Sequence, residues 1–358
     1  MTEERVRKLR KELIEKGEEG VLITSPENRF YFSGFKGSSG VLLITKEDAY
    51  LMTDFRYIDQ AEDEAPFFKV INHERKTYPV VTEYLKHHRV KKLGLEFGKM
   101  PVLEFKELES LNPEIALYNC EEAVFKLRMI KDKEEIGYLK KGIAMCDAAF
   151  EHSLTFIRPG MSEKELGLEL EFFMRKAGAD GIKENHVIAS GERSSLPHGQ
   201  ATDRIIQAGD FVKMDIGAKV NGYYTDHTRT VVVGEPSEKQ VEIYNIVRKA
   251  QEVALEAIGP GKVCSELDAL ARQVISDAGY GDNFGHSLGH SIGLAVHESP
   301  AMRATDDTVL QPGMVITVEP GIYIPGFGGV RIEDFIVITE DGYDNLTTAS
   351  KDLKVISL

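Results

Sequence analysis

Residues 156–181, FIRPGMSEKELGLELEFFMRKAGADG, return in altered form at residues 257–282, AIGPGKVCSELDALARQVISDAGYGD. At a constant spacing of 101 residues, Ile157, Pro159, Gly160, Glu165, Leu166, Ala177 and Gly178 meet Ile258, Pro260, Gly261, Glu266, Leu267, Ala278 and Gly279. Each copy reads as the end of one helix, a Pro-Gly turn and a second helix stopped by glycine, the residue that enters a left-handed C-cap without a Cβ penalty. A duplication of this length predicts two halves packed about a pseudo-twofold axis.

The copy extends into strands. QAGDFVKMD (207–215) and QPGMVITVE (311–319) share a Gln-x-Gly turn and then run through apolar residues to a carboxylate, so Asp215 and Glu319 are equivalent positions. After Asp215 the chain turns through a Gly-Tyr pair and presents Asp226 in YTDHTRT; after Glu319 it turns through PGIYIPGFGGV and presents Glu333 in VRIEDFIVIT. Four carboxylates gathered near one axis in apolar strands repel one another, and each costs several kcal/mol to desolvate. Two divalent cations balance four negative charges, and two ions about 3.5 Å apart are the usual means of activating a water for hydrolysis.

Histidines complete the picture. FGHSLGHSIGLAVHESP holds His286, His290 and His297 among glycines, and one of the three is expected to join the carboxylates as a ligand. Oxygen ligation with a single nitrogen suits Mn, Co, Fe or Zn better than Ca or Mg. His286 reads as a turn residue. His198, after a proline in ASGERSSLPHGQATD, is placed to hydrogen-bond a substrate. His73, His87, His88 and His152 read as surface residues.

The bulk numbers exclude other classes. The chain has 358 residues, 42% hydrophobic and 28% charged, and its 44 Lys and Arg against 58 Asp and Glu give a net charge of −14. That charge argues against nucleic acid or an anionic membrane as main partner. The opening MTEERVRKLRKELIEKGEEG has no apolar signal region and reads as an amphipathic helix with Val6, Leu9, Leu13 and Ile14 on one face. No run is apolar enough to span a membrane. Cys120, Cys146 and Cys264 read as core thiols, which fits a cytoplasmic location.

Residues 1–124 alternate strand and helix signals and form a first, small α/β domain; residues 125–358 form the second. GVLITS, GVLLITKEDAYLMTD, KVINH, KKLGLEF and EIALYNC read as strands, with helices near 55–65, 77–88 and 101–109. The glycine run SGFKGSSG lacks the spacing and the GKS/T of a phosphate cradle and reads as turns. Asp132 and Glu135 have the spacing of a capping box at a long charged helix.

With these residues in place, the sequence resembles the Xaa-Pro peptidases of the metallopeptidase family with the pita-bread fold, a family that includes aminopeptidase P, prolidase, methionine aminopeptidase and the metal-free creatinase. NRFYFSGFKGSSGVLLITKEDAYLMTDFRY is similar to the creatinase-like N-terminal domain, and RSSLPHG, MDIGA, YTDHTRT, GHSIGLAVHE and VEPGIYIPGFGGVRIED follow the catalytic domain in order. The resemblance implies an α/β (α+β) chain: a creatinase-like N-terminal domain followed by a pseudo-twofold pita-bread catalytic domain. It implies two divalent metal ions, manganese first among Mn, Co, Zn and Fe, held by Asp215, Asp226, His290, Glu319 and Glu333, with Asp226 and Glu333 bridging. It implies that His198 and His297 flank the substrate, that Glu319 also handles the proton of the attacking water, that Arg331 supports the site, and that Thr228 stands behind the ligands.

The implied activity is cleavage of the bond between an N-terminal residue and proline, a tertiary amide whose missing N–H removes the handle that general peptidases use. The reading placed first is an Xaa-Pro aminopeptidase open to longer peptides; the alternative is an Xaa-Pro dipeptidase (prolidase), and behind both stands a metal-binding module without catalysis. A homodimer is implied, in which the N-terminal domain of one subunit edges the other's active site. Two departures stand out. Lys183, Glu184, Asn185 and His186 occupy a segment where family members carry aromatic or apolar residues beside the substrate pocket, and His227 replaces an apolar residue between Asp226 and Thr228, where alternation turns it away from the ligands toward packing.

Overall fold

The computed structural model describes residues 2–183 and 186–358, and the chain divides into the units Met1–Arg128 and Met129–Leu358. In the first unit, short apolar runs alternate with helical periods to give α1 (Thr2–Glu15), β1 (Gly20–Ile23), α2 (Pro26–Ser33), β2 (Val41–Thr45), β3 (Ala49–Thr53), α3 (Ile58–Glu64), β4 (Lys69–Asn72), α4 (Thr77–His87), β5 (Lys92–Leu95), α5 (Val102–Leu111), β6 (Ala116–Asn119) and α6 (Glu121–Met129). The strands form one sheet in the order β4-β3-β2-β1-β5-β6. Strand β2 is antiparallel to both neighbours, and the outer pairs are parallel.

Local chemistry explains the boundaries. Helix α2 starts at the Ser25 cap with proline in its first turn and ends at Gly34, whose φ of 80° only glycine adopts without penalty. The carbonyls of Gly37 and Gly40 accept hydrogen bonds from Arg29 at 2.7 Å each, so the glycine run is a turn bound to an internal cation. Two expectations fail here. Ile14 is 59% exposed while Val6, Leu9 and Leu13 are buried, because one residue further along α1 rotates the side chain by about 100°. His73 is buried rather than superficial: its Nδ1 accepts the Arg75 N–H at 3.1 Å inside a tight turn.

In the second unit the repeat becomes two helix pairs, α7 (Lys133–Phe156) with α8 (Glu163–Lys176) and α9 (Glu238–Ala257) with α10 (Cys264–Asp277). Capping boxes begin α7 (Asp132, Glu135), α8 (Ser162, Glu165) and α9 (Ser237, Gln240). Gly178 and Gly279 follow α8 and α10 at φ of 104° and 85°. Between and after the pairs run β7 (Gly181–Ile182), β8 (Val187–Ser190), β9 (Phe211–Ile216), β10 (Ala218–Val220), β11 (Tyr223–Tyr224), β12 (His227–Val233), β13 (Gly289–Ser291), β14 (Glu298–Met302), β15 (Val315–Val318), β16 (Gly321–Ile324), β17 (Gly328–Arg331), β18 (Asp334–Ile338), β19 (Tyr343–Asn345) and β20 (Val355–Ile356).

These strands form a sheet β20-β12-β9-β8, a sheet β14-β13-β15-β18-β19, a small sheet β11-β10-β7 and the hairpin β16-β17. Antiparallel pair β9/β12 corresponds to β15/β18, and each pair brings its carboxylates to the same end: Asp215 faces Thr228, and Val318 faces Asp334 beside Glu333. The turn between β10 and β11 is Asn221-Gly222, with φ of 46° and 85°, the left-handed pair a two-residue hairpin demands. Helices α9 and α10 cover the second sheet with Ile243, Val247, Ala254, Leu267 and Ile275 against Ile316, Val318 and Ile336. Each fully buried branched side chain contributes about 1.5–3 kcal/mol. Arg229, buried to 1% exposure, fastens the two hairpins together: it donates to the carbonyl of Glu333 and, at 2.9 Å, to Asp334 Oδ1. Among the described residues no helix is long and apolar enough to cross a membrane.

Candidate metal centre

Asp215 lies near the end of β9, Asp226 precedes β12, and Glu333 precedes β18; one oxygen of each lies within 4.8 Å of the other two. All three are buried. His290 and Glu319 form a second pair beside them, with His290 Nε2 at 3.3 Å from Glu319 Oε1 and 3.9 Å from Asp226 Oδ2. The His290 ring is oriented by Nδ1, which donates to the Ser291 carbonyl at 3.0 Å and so turns Nε2 toward the carboxylates. Thr317 braces both members: its hydroxyl accepts the His290 N–H and donates to Glu319 Oε1, each at 3.0 Å.

Arg331 and Lys183 supply the positive charge. Arg331, at the end of β17, donates to Asp215 Oδ2, to the Thr228 hydroxyl at 3.1 Å, and to the Pro197 carbonyl and the Tyr323 hydroxyl at 3.0 Å each. The Lys183 ammonium, also buried, donates to Asp215 Oδ1 and Asp226 Oδ1. The sequence marks Lys183 as a polar departure near the pocket; it does not reveal that its Nζ bridges two expected ligands. Glu184 and Asn185 of the same segment lie outside the described residues.

The protonation tendencies follow from this layout. Burial works to raise Asp215, but Lys183 and Arg331 outweigh it and hold the carboxyl well below its ordinary range. Asp226 is raised to about 7, by burial first and by Asp215 and Glu319 next, with Lys183 opposing. Glu333 is raised well above its ordinary value by burial and by the neighbouring carboxylates. Burial would raise Glu319 too, but His290 and Arg331 push it down to about 2.

These residues fit divalent cations. Glu333 Oε2 accepts the Thr228 hydroxyl at 2.7 Å, yet Oε1 is buried without a hydrogen-bond partner among the described residues. A buried acceptor left unmatched costs about 1–3 kcal/mol. The donor set is oxygen-rich with one oriented imidazole, and two of its carboxyls resist ionisation unless more positive charge joins them.

The histidines divide. The His297 ring stands 4.4 Å from that of His290, centroid to centroid. His198 is exposed on the segment after Pro197, near enough that its charge adds to burial and to His290 in lowering the proton affinity of His297. His286 contacts the Tyr323 hydroxyl at 2.8 Å. His227 sits 3.2 Å from Asp147 and against Phe150, a packing position.

Residues 137–340 match the sequence model of metallopeptidase family M24, and residues 5–130 match that of the creatinase/prolidase N-terminal domain. The chain belongs to metallopeptidase family M24. Membership makes it a hydrolase, a peptidase whose family implies divalent metal ions, and gives its catalytic unit the pita-bread fold. This M24 chain is 44% identical to an uncharacterised peptidase of Bacillus subtilis over 98% of its own length and all of the relative. It is 41% identical to an Xaa-Pro dipeptidase of Pyrococcus furiosus, covering 98% of this chain and 99% of that one. Among solved structures, an Xaa-Pro dipeptidase from Bacillus anthracis superposes with a TM-score of 0.96 at 45% identity, covering 99% and 100% of the two chains. An X-Pro aminopeptidase from Thermotoga maritima gives 0.92 at 38% identity, covering 98% and 99%.

Proposed function

We propose that this M24 peptidase is an Xaa-Pro dipeptidase, a prolidase that releases proline from dipeptides. The observation that carries the reading is the join of a complete carboxylate–histidine donor set to full-length likeness with proteins named Xaa-Pro dipeptidase. The relatives thus favour the dipeptidase over the broader aminopeptidase that the sequence alone puts first. The Thermotoga maritima X-Pro aminopeptidase, at a TM-score of 0.92, keeps the aminopeptidase as the second reading.

Asp215, Asp226, His290, Glu319 and Glu333 would hold two divalent ions, manganese first, which when bound supply an acidified water and a Lewis acid for the scissile carbonyl. The chain's own groups do the rest. Glu319, kept ionised beside His290 and Arg331, accepts the proton of the water. His198 and His297 flank the peptide and steady the charge that develops on the carbonyl oxygen. Arg331 holds Asp215 in orientation, and Thr228 holds Glu333. We further infer a cytoplasmic homodimer, supported by three buried free thiols and by the family resemblance; a scattering mass of one 40.0 kDa chain overturns the dimer.

The deciding experiment resupplies metal-depleted protein with manganese, cobalt or zinc and offers Ala-Pro beside Ala-Pro-Ala. Cleavage confined to Ala-Pro is the expected result. Equal cleavage of the tripeptide overturns the dipeptidase in favour of the aminopeptidase, and cleavage of neither overturns both.

A further inference from the structure

Lys213 interrupts the apolar run FVKMDI of β9, two residues before Asp215 and therefore on the same face of the strand. Its side chain is wholly buried, at 0% exposure. Burying an ammonium is costly unless its donors are satisfied. Among the described residues no carboxylate forms an ion pair with it; its three donors go to backbone carbonyls, Ser194 at 3.0 Å, Leu196 at 2.5 Å and Pro197 at 3.4 Å. The Tyr323 ring lies 4.9 Å from Nζ, in cation–π range.

All three carbonyls belong to the segment that delivers His198. Pro197, the residue before it, is held twice, since its carbonyl also accepts from Arg331 at 3.0 Å. The segment is also packed closely by β17: the Gly329 N–H donates to Ser194 Oγ at 2.8 Å, and a Cβ at Gly329 would stand 2.6 Å from the Ser194 carbonyl. A buried cation that forms no ion pair but gathers three carbonyls of one short segment fixes a backbone path.

We propose that Lys213 is a positioning residue for His198, tying the path of residues 194–197 to the strand that carries Asp215. The inference rests on the reading of His198 as a substrate-facing residue. It is tested with full-length, manganese-loaded protein on Ala-Pro by measuring kcat, KM and bound metal for wild type, K213M, H198A and K213M/H198A, with K213Q retaining a donor to the carbonyls. The expected result is that K213M lowers kcat by about tenfold or more while KM and metal content change by less than about threefold, and that the double variant is no slower than H198A within about twofold. K213Q is expected to recover part of the loss, and it replaces K213M in the cycle if the latter does not fold. Wild-type kcat in K213M, or losses that multiply in the double variant, overturn the proposal. Wild-type activity in H198A overturns the reading of His198 itself and the proposal with it.

Discussion

The Thr228 hydroxyl donates to Glu333 Oε2 at 2.7 Å, from one half of the internal repeat to the other. The same hydroxyl accepts from Arg331 Nε at 3.1 Å, so it links the guanidinium that holds Asp215 to the carboxylate that faces it. Thr228→Val keeps the shape and removes both bonds. Losing such support behind a ligand lowers metal affinity by about 10–100-fold, whereas Thr228→Ser is expected to restore most of it. Manganese titration of the depleted protein measures both, and equal affinity in the valine variant and wild type would make the bond merely structural.

Glu333→Ala removes a carboxylate clustered with Asp215 and Asp226. Activity on Ala-Pro is expected to fall by about 100-fold or more with the far-ultraviolet circular dichroism unchanged. A variant that keeps both its metal content and its rate would mean that Glu333 is no ligand.

Lys183 presents the opposite case, a cation among carboxylates proposed to hold cations. At about 4 Å and an effective dielectric of about 20, one unit charge is worth about 4 kcal/mol to a neighbour. Lys183→Met is therefore expected to lower the melting temperature of the metal-depleted protein, by leaving Asp215 and Asp226 without their shared donor. The same change is expected to tighten manganese binding by about tenfold or more. Calorimetric titration and chelator-treated melts read the two effects, and weaker binding in the variant would assign Lys183 a supporting role instead.

Acid should weaken the fold through His286. Burial lowers this imidazole from its ordinary 6.5 to about 4. The unfolded chain takes up the proton first, so between these values it binds more protons than the native state, and stability is lost as pH falls through that window. Urea unfolding of chelated protein is expected to show a smaller free energy at about pH 5 than at about pH 7, and His286→Gln a flatter dependence. An identical slope in the variant would refute the assignment.

The duplicated helices, their caps and the two carboxylate-bearing hairpins are legible in the sequence because each depends on local spacing. Pro159-Gly160 and Pro260-Gly261 mark turns, Asp132 and Glu135 close a capping box, and Gln-x-Gly repeats before both strands. The five strand runs read in the first unit are legible for the same reason, and the longest of them, residues 40–54, folds back as the two strands β2 and β3. What spacing cannot give is where a long, flexible side chain ends. Lys183 reads only as a polar departure and Lys213 is passed over inside an apolar run, yet one reaches two carboxylates and the other three carbonyls. His73 fails differently: its burial depends on a backbone donor two residues away in a turn whose Glu74 and Arg75 adopt positive φ, which their residue types do not announce.

Arg229 joins two hairpins that the chain separates by more than a hundred residues, and the donor set is split along the same line. Asp215 and Asp226 lie before the exposed Glu235, and His290, Glu319 and Glu333 lie after it. A backbone cut there would yield two fragments, each carrying an incomplete address for the ion. Metal capture by the mixture would then count reassembled molecules directly, making the ion a tally of how faithfully two ancestral-looking copies still recognise each other.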